Sequence, residues 1–394
     1  MLDAARSRRY GTRMDEWLKV QLERLAAAGL LREPSDSDAR AKLSRGAGEP
    51  LVDACSNDYL GLGARSVSRE TLSRLEGAAL GAGASRLVQG TTPEHLELER
   101  ALAAWVRQPA ALLSLSAFAA NAGTLPALVE PDSLIVSDRL NHASIVDGCR
   151  LSKARVVVTP HLDLDAVEAA LRARSSSAPA WVVSEGLFSM DGDSPDLPAL
   201  RALCDRHGAG LYLDEAHSLG VMGPAGAGLA AERGVQVEVL VAGLGKAVGS
   251  QGGFVAGSES LRTWLWNRAR AFVFSTAPSP ALIRLTLAQV EATRSADAAR
   301  ARLAARSTEL RAALAQIGLH VVPGAGPIVP VVLGSNERAL RAMAVLREHR
   351  ILAQAIRPPT VPLGEARLRL TAHADWSDDA VPRIARALEV ACAS

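Results

Sequence analysis

Val239-Leu240-Val241-Ala242-Gly243-Leu244-Gly245-Lys246 is an apolar run that closes on glycine and then presents an amine. A continuous apolar run of this kind reads as a strand buried on both faces, the pattern of a parallel sheet covered by helices. Glycine lets the backbone turn away at the strand end. Lys246 then stands at that end, whereas Lys19, Lys42 and Lys153 lie amid ordinary polar sequence. An amine held there suits nucleophilic attack on a carbonyl carbon, as a Schiff-base lysine requires. Alone it reads better as a surface lysine at a strand end.

Six further β-rich runs accompany this one between Leu51 and Pro280: Ala111 to Leu115, Leu134 to Ser137, Arg155 to Val158, Trp181 to Ser184, Leu211 to Asp214 and Phe254 to Ala256. Helical periodicity fills the intervals. The expectation is an α/β fold whose seven-stranded, mostly parallel sheet carries helices on both faces. Beyond Pro280 the order is helix (Ala281 to Ile317), strand (Ile328 to Val332), helix (Asn336 to His349), strand (Ala366 to Leu370) and helix (Ser377 to Cys392), a smaller α+β domain. Before it, Leu18, Leu22 and Leu25 share one helical face, and Pro34 and Gly46 to Pro50 mark a loop. The expected division is an N-terminal arm (1–59), a large domain (60–285) and a small C-terminal domain (286–394). No fixed-period repeat appears, and Ser175-Ser176-Ser177 is the only hint of low complexity.

The 394 residues carry a formal net charge of +2 with 22% charged residues, which leaves no basic footprint for nucleic acid or a membrane surface. Small molecules are the expected partners. The N-terminus lacks a signal-like apolar segment, and no run reaches the ~18 apolar residues of a bilayer span. A cytoplasmic location is expected. Cys55, Cys149, Cys204 and Cys392 lack metal-site spacing and read as reduced thiols, so no metal is expected.

Ligands of doubly wound sheets gather at the carboxyl ends of the strands. After Ala111 to Leu115, the stretch Ser116-Ala117-Phe118 opens a helix whose backbone N–H groups suit a phosphate; a plain small-residue helix start looks alike. Leu211 to Leu213 runs into Asp214-Glu215-Ala216-His217, an acid and an imidazole at the same sheet edge as Lys246. Such an Asp can hold a pyridinium nitrogen protonated, the electronic need of pyridoxal phosphate, although taken singly Asp214 reads better as a helix N-cap. Asn141-His142-Ala143-Ser144 places an imidazole able to stack on a flat ring at a third end, and Ser184 to Asp193 adds hydroxyls and carboxylates at a fourth. The agreement of the ends points to one site.

Ordered matches along nearly the whole chain resemble the α-oxoamine synthases, a family of the pyridoxal-phosphate fold type I superfamily. They are Ser56 to Leu62, Gly81 to Val88, Asp138 to Ser144, Glu185 to Asp193, Asp214 to His217, Lys246, Phe274-Ser275-Thr276 and Ile356 to Pro362. The resemblance implies that Lys246 binds the cofactor covalently and moves the substrate α-proton. It implies that Asp214 pairs with the pyridine nitrogen, His142 stacks on the ring and His217 lies beside the phenolic oxygen. Phosphate contacts would come from Ser116, Ala117, Phe118 and Ser189 and, across a homodimer interface, from Ser275 and Thr276. Asn57 and Arg357 would take the substrate carboxylate, and Arg32 would stand near the substrate entrance. The implied reaction joins a small L-amino acid, L-alanine first, to an acyl-CoA, a pimeloyl thioester first, as in biotin formation. Glycine or serine with another acyl-CoA is the nearest alternative.

Two positions depart from the family pattern. Gly243 stands where a phosphate-binding Thr is usual, and Ala117 where a Gly is usual. A catalytically silent partner subunit is disfavoured by the presence of Lys246. A dehydrogenase is disfavoured by the lack of a Gly-rich fingerprint with its acidic partner about 20 positions on.

Overall fold

The structure is a computed structural model that describes residues 2–28, 30–31, 50–65, 67–175, 178–358 and 360–393. It divides into two compact units, Met1–Leu51 and Val52–Ser394. The first contains the helix Leu2–Ala27. Arg32 lies outside the described residues.

The second unit begins with β1 (Val52–Asp53) and then builds a seven-stranded sheet from β2 (Ala110–Ser114), β3 (Leu134–Asp138), β4 (Arg155–Thr159), β5 (Ala180–Glu185), β6 (Gly210–Asp214), β7 (Val239–Gly243) and β8 (Gly253–Gly257). Their spatial order is β2-β8-β7-β6-β5-β3-β4. All pairs are parallel except those of β8, which runs antiparallel to β2 and to β7. Seven apolar runs are seven strands, each displaced by a residue or so.

The unbroken apolarity has a direct cause. Successive side chains of a strand point to opposite faces, and both faces are covered. Leu211, Leu213, Leu240 and Ala242 enter one buried cluster. Tyr212, Val239, Val241 and Val255 enter another on the opposite face. Asp214, two residues after Tyr212, shares that second face at the end of β6.

The rest of the unit holds a four-stranded sheet, ordered β12-β13-β10-β9, from β9 (His320–Val321), β10 (Ile328–Gly334), β12 (Gln354–Ile356) and β13 (Ala366–Thr371). A separate short strand, β11 (Ile351–Leu352), pairs with β1. The single helix expected over Ala281 to Ile317 is two helices, Pro280–Arg294 and Asp297–Gln316. Arg300 accounts for the break. Its buried guanidinium donates to the carbonyls of Thr293 and Arg294 at the end of the first helix, and to that of Gly220.

Candidate active site

The carboxyl ends of β6 and β7 lie side by side, with Asp214 paired in register with Val241. β7 stops at Gly243, and the turn into β8 is closed by Leu244 N–H to Gly252 O and Gly249 N–H to Lys246 O. Lys246 Nζ lies 2.9 Å from His217 Nε2, and His217 Nδ1 lies 2.6 Å from the hydroxyl of the fully buried Tyr59. Burial lowers the pKa of Lys246, against the pull of Asp214 and Glu185. Burial, reinforced by the charge of Lys246, pushes His217 well below the usual imidazole range. The two nitrogens are therefore driven toward their neutral, nucleophilic forms. Burial also lifts the Tyr59 phenol to about 12, so it stays a hydrogen-bonding hydroxyl.

Asp214 accepts a 2.6 Å hydrogen bond from Asn121 Nδ2 at Oδ2 and a 2.8 Å bond from the Ala216 N–H at Oδ1. The second bond is the local turn role that an Asp after a strand plays; the first ties it to another helix. His142 caps the helix Ala143–Ser152, its Nδ1 accepting from Ser144 N–H, while its own N–H donates to Glu185 Oε1 at 2.6 Å. Burial lowers the pKa of His142 and raises that of Glu185 well above the carboxylate range, with Asp214 adding to the second effect. The Phe118 and His142 rings stand nearly perpendicular, with centroids 6.4 Å apart.

Ser116 caps the helix Ala117–Leu128, its Oγ accepting from Ala119 N–H at 3.0 Å. The helix can come so close to the strand ends only because residue 253 is glycine. A Cβ there would stand 2.4 Å from Ala117 N. The two departures from the family pattern face each other. A Cβ placed on Gly243 would meet the Ala117 methyl at 3.5 Å, an ordinary contact.

Arg369, on β13, is a residue that sequence reasoning missed. It is 7% exposed, its Nε donates to the carbonyl of Ser189, and two of its nitrogens reach Asn57 Oδ1 at 3.1 and 3.2 Å. Its charge is felt by both Lys246 and His217. Two buried arginines, Arg367 and Arg369, inside the strand Ala366–Thr371 were the available signal, because a buried guanidinium needs a built environment. Arg357 follows β12 and is half-buried. Ser275, half-buried, and Thr276, exposed, stand outside the Lys246 network and line a cavity of about 500 Å³ with Gln251, Leu115 and Leu282.

The donor set fits pyridoxal phosphate. A desolvated amine suits its aldehyde, a buried carboxylate its ring nitrogen, an imidazole its face and a helix N-terminus its phosphate.

Residues 49–388 match the family model described as Aminotransferase class I and II. A protein of Anaeromyxobacter dehalogenans named 8-amino-7-oxononanoate synthase is 48% identical over 91% of each chain, and one of Marinobacter nauticus with the same name is 43% identical over 86% of this chain and 87% of its own. Among solved structures, serine palmitoyltransferase of Sphingomonas wittichii superposes with a TM-score of 0.85 at 27% identity, covering 95% of this chain and 96% of that one. The 8-amino-7-oxononanoate synthase of Francisella tularensis gives 0.76 at 26% identity, covering 86% and 97%. With the match spanning all three sheets and every described site residue, the chain belongs to the aminotransferase class I and II family, as a pyridoxal-phosphate enzyme akin to the 8-amino-7-oxononanoate synthases.

Proposed function

We propose that this chain condenses a small L-amino acid with an acyl-CoA to give an α-amino ketone, carbon dioxide and free CoA, and that the pair is L-alanine and a pimeloyl thioester, as in biotin synthesis. When bound, pyridoxal phosphate supplies the electron sink for negative charge at the substrate α-carbon. Lys246 holds the cofactor aldehyde and carries the α-proton, a role that suits an amine whose burial favours its neutral form. Asp214 keeps the ring nitrogen protonated, His142 covers the ring, and His217 bonds the phenolic oxygen. Asn57 Oδ1 is engaged by Arg369 and Tyr59, and its Nδ2 is the group that would donate to a carboxylate. We add Arg369 to Asn57 and Arg357 as the groups that hold it. Ser116, Ala117, Phe118 and Ser189 surround the phosphate, with Ser275 and Thr276 of a second copy completing it in a homodimer. The enzyme works in the cytoplasm.

The observation that carries the reading is the 2.9 Å contact between Lys246 and His217 in the same buried centre as Asp214. The curated relatives' shared name supports it. A second reading, serine with a long-chain acyl-CoA, is favoured by the TM-score of 0.85 to a serine palmitoyltransferase, but identity there is 27% against 48%. The test is release of free thiol from holoenzyme given L-alanine, glycine or L-serine with a panel of acyl-CoA thioesters. Release with L-alanine and pimeloyl-CoA is expected. Release confined to L-serine and palmitoyl-CoA would replace this reading with the second.

A further inference from the structure

Asn121 lies on the helix Ala117–Leu128 and is fully buried, together with Tyr212, Ser144 and Asp214. Its Nδ2 donates to Asp214 Oδ2 at 2.6 Å and to Ser144 Oγ at 2.9 Å, while its Oδ1 accepts from the Tyr212 hydroxyl at 2.7 Å. The amide can sit only one way round. Flipped, it would set a carbonyl oxygen against a carboxylate and leave Tyr212 facing an N–H group.

A proton count follows from that orientation. Ser144 Oγ takes a hydrogen from Asn121 on one lone pair, which leaves its own hydrogen able to turn toward the atom 2.8 Å away, His142 Nδ1. The Ser144 backbone N–H points at the same nitrogen at 3.2 Å. Nδ1 is therefore the bare, accepting nitrogen, and the ring proton lies on Nε2. One amide thus aims a carboxylate and orients the hydroxyl that, with the Ser144 N–H, meets the imidazole at Nδ1.

We propose that Asn121 is a positioning residue for the reaction, aiming the Asp214 carboxylate and, through Ser144, holding His142 neutral with its proton on Nε2. Tyr212 anchors the amide from behind. The inference rests on the reading of Asp214 as the partner of the cofactor ring nitrogen. With Asn121 gone, Asp214 Oδ2 is no longer aimed from that helix, and a carboxylate that swings off line holds the ring proton less firmly. Weaker positive charge on the ring leaves the Lys246-linked nitrogen more basic.

The test is the pH titration of visible absorbance in holoenzyme carrying Asn121→Leu or Tyr212→Phe, with borohydride labelling of Lys246 run in parallel. Asn121→Leu is expected to move the midpoint upward by about one pH unit, a tenfold change of the order given by one lost hydrogen bond to a charged group. Tyr212→Phe, which keeps the amide, moves it the same way by less. Leu125→Ala, equally buried on the same helix, lowers the thermal midpoint but leaves the absorbance midpoint in place. If Asn121→Leu does not fold, Tyr212→Phe decides. Wild-type midpoints in both variants, or a shift as large in Leu125→Ala, would overturn the proposal. Absence of borohydride label on wild-type Lys246 would instead sink the functional reading beneath it.

Discussion

At the scale of single residues, Gly243 offers the sharpest test of how the phosphate is held. Space for a side chain exists there, since a Cβ would make only ordinary contacts with Ala117 and Ala216. Gly243→Thr is expected to tighten pyridoxal phosphate binding about tenfold or more, the worth of a hydrogen bond to a charged group at ~1.5–3 kcal/mol. Fluorescence titration of apoenzyme checks it, and unchanged affinity would mean that the phosphate is already satisfied. Arg369→Lys keeps the charge but removes the guanidinium fork. The KM for the amino acid should rise by about tenfold or more while kcat falls less, by the same hydrogen-bond arithmetic. Lys246, Asp214, His142 and His217 were legible because parallel strands bring their carboxyl ends to one edge, so residues far apart in the chain could be placed together before any coordinates. Arg369 and Asn121 were not legible. One arrives from a different sheet, and the other from the middle of a helix whose rotation only packing defines.

Among the elements, the loop after β5 shows how parts far from the reacting atoms set the site. His161 bridges Asp138 at the end of β3 and Asp193 of that loop, 2.9 Å to each, with its ring edge on Phe188. The same loop is gripped from β13 by Arg367 on Asp191 and Arg369 on Ser189. Burial works against the charged imidazole, but the two carboxylates outweigh it and raise the pKa to about 9. A raised folded-state value means that the stabilisation is complete below the unfolded value near 6.5 and fades as pH climbs through about 9. Between pH 7 and 10 the wild type should therefore lose thermal midpoint more steeply than His161→Gln, by roughly 2–4 °C for each kcal/mol. Parallel curves would contradict the bridge. Gly253→Ala places a methyl where the first turn of the Ala117–Leu128 helix rests on β8. Both the thermal midpoint and cofactor affinity should fall, because that helix N-terminus must retreat. The break at Ser295 and Ala296 escaped sequence reading because it depends on Arg300 reaching back to Thr293 and Arg294, a side-chain contact that residue order does not display.

For the molecule as a whole, the continuous apolar runs made the large sheet readable, since burial on both faces leaves no alternation to confuse. The antiparallel course of β8 was not readable, because direction is set by a turn and a pairing rather than by composition. Nor were β1, β9, β11 and β12, which span two or three residues each and fall below any periodic signal. Among the described residues no helix is long and apolar enough to cross a membrane. What unites the architecture is one strand end at which an amine meets an imidazole and a carboxylate. The chain has four lysines, Lys19, Lys42, Lys153 and Lys246, so the attachment point can be mapped without ambiguity. Purified holoenzyme is reduced with borohydride, digested, and its peptides weighed. The phosphopyridoxyl mass should appear on the peptide that holds Lys246 and vanish in Lys246→Ala; its appearance on another lysine, or on none, would contradict the account.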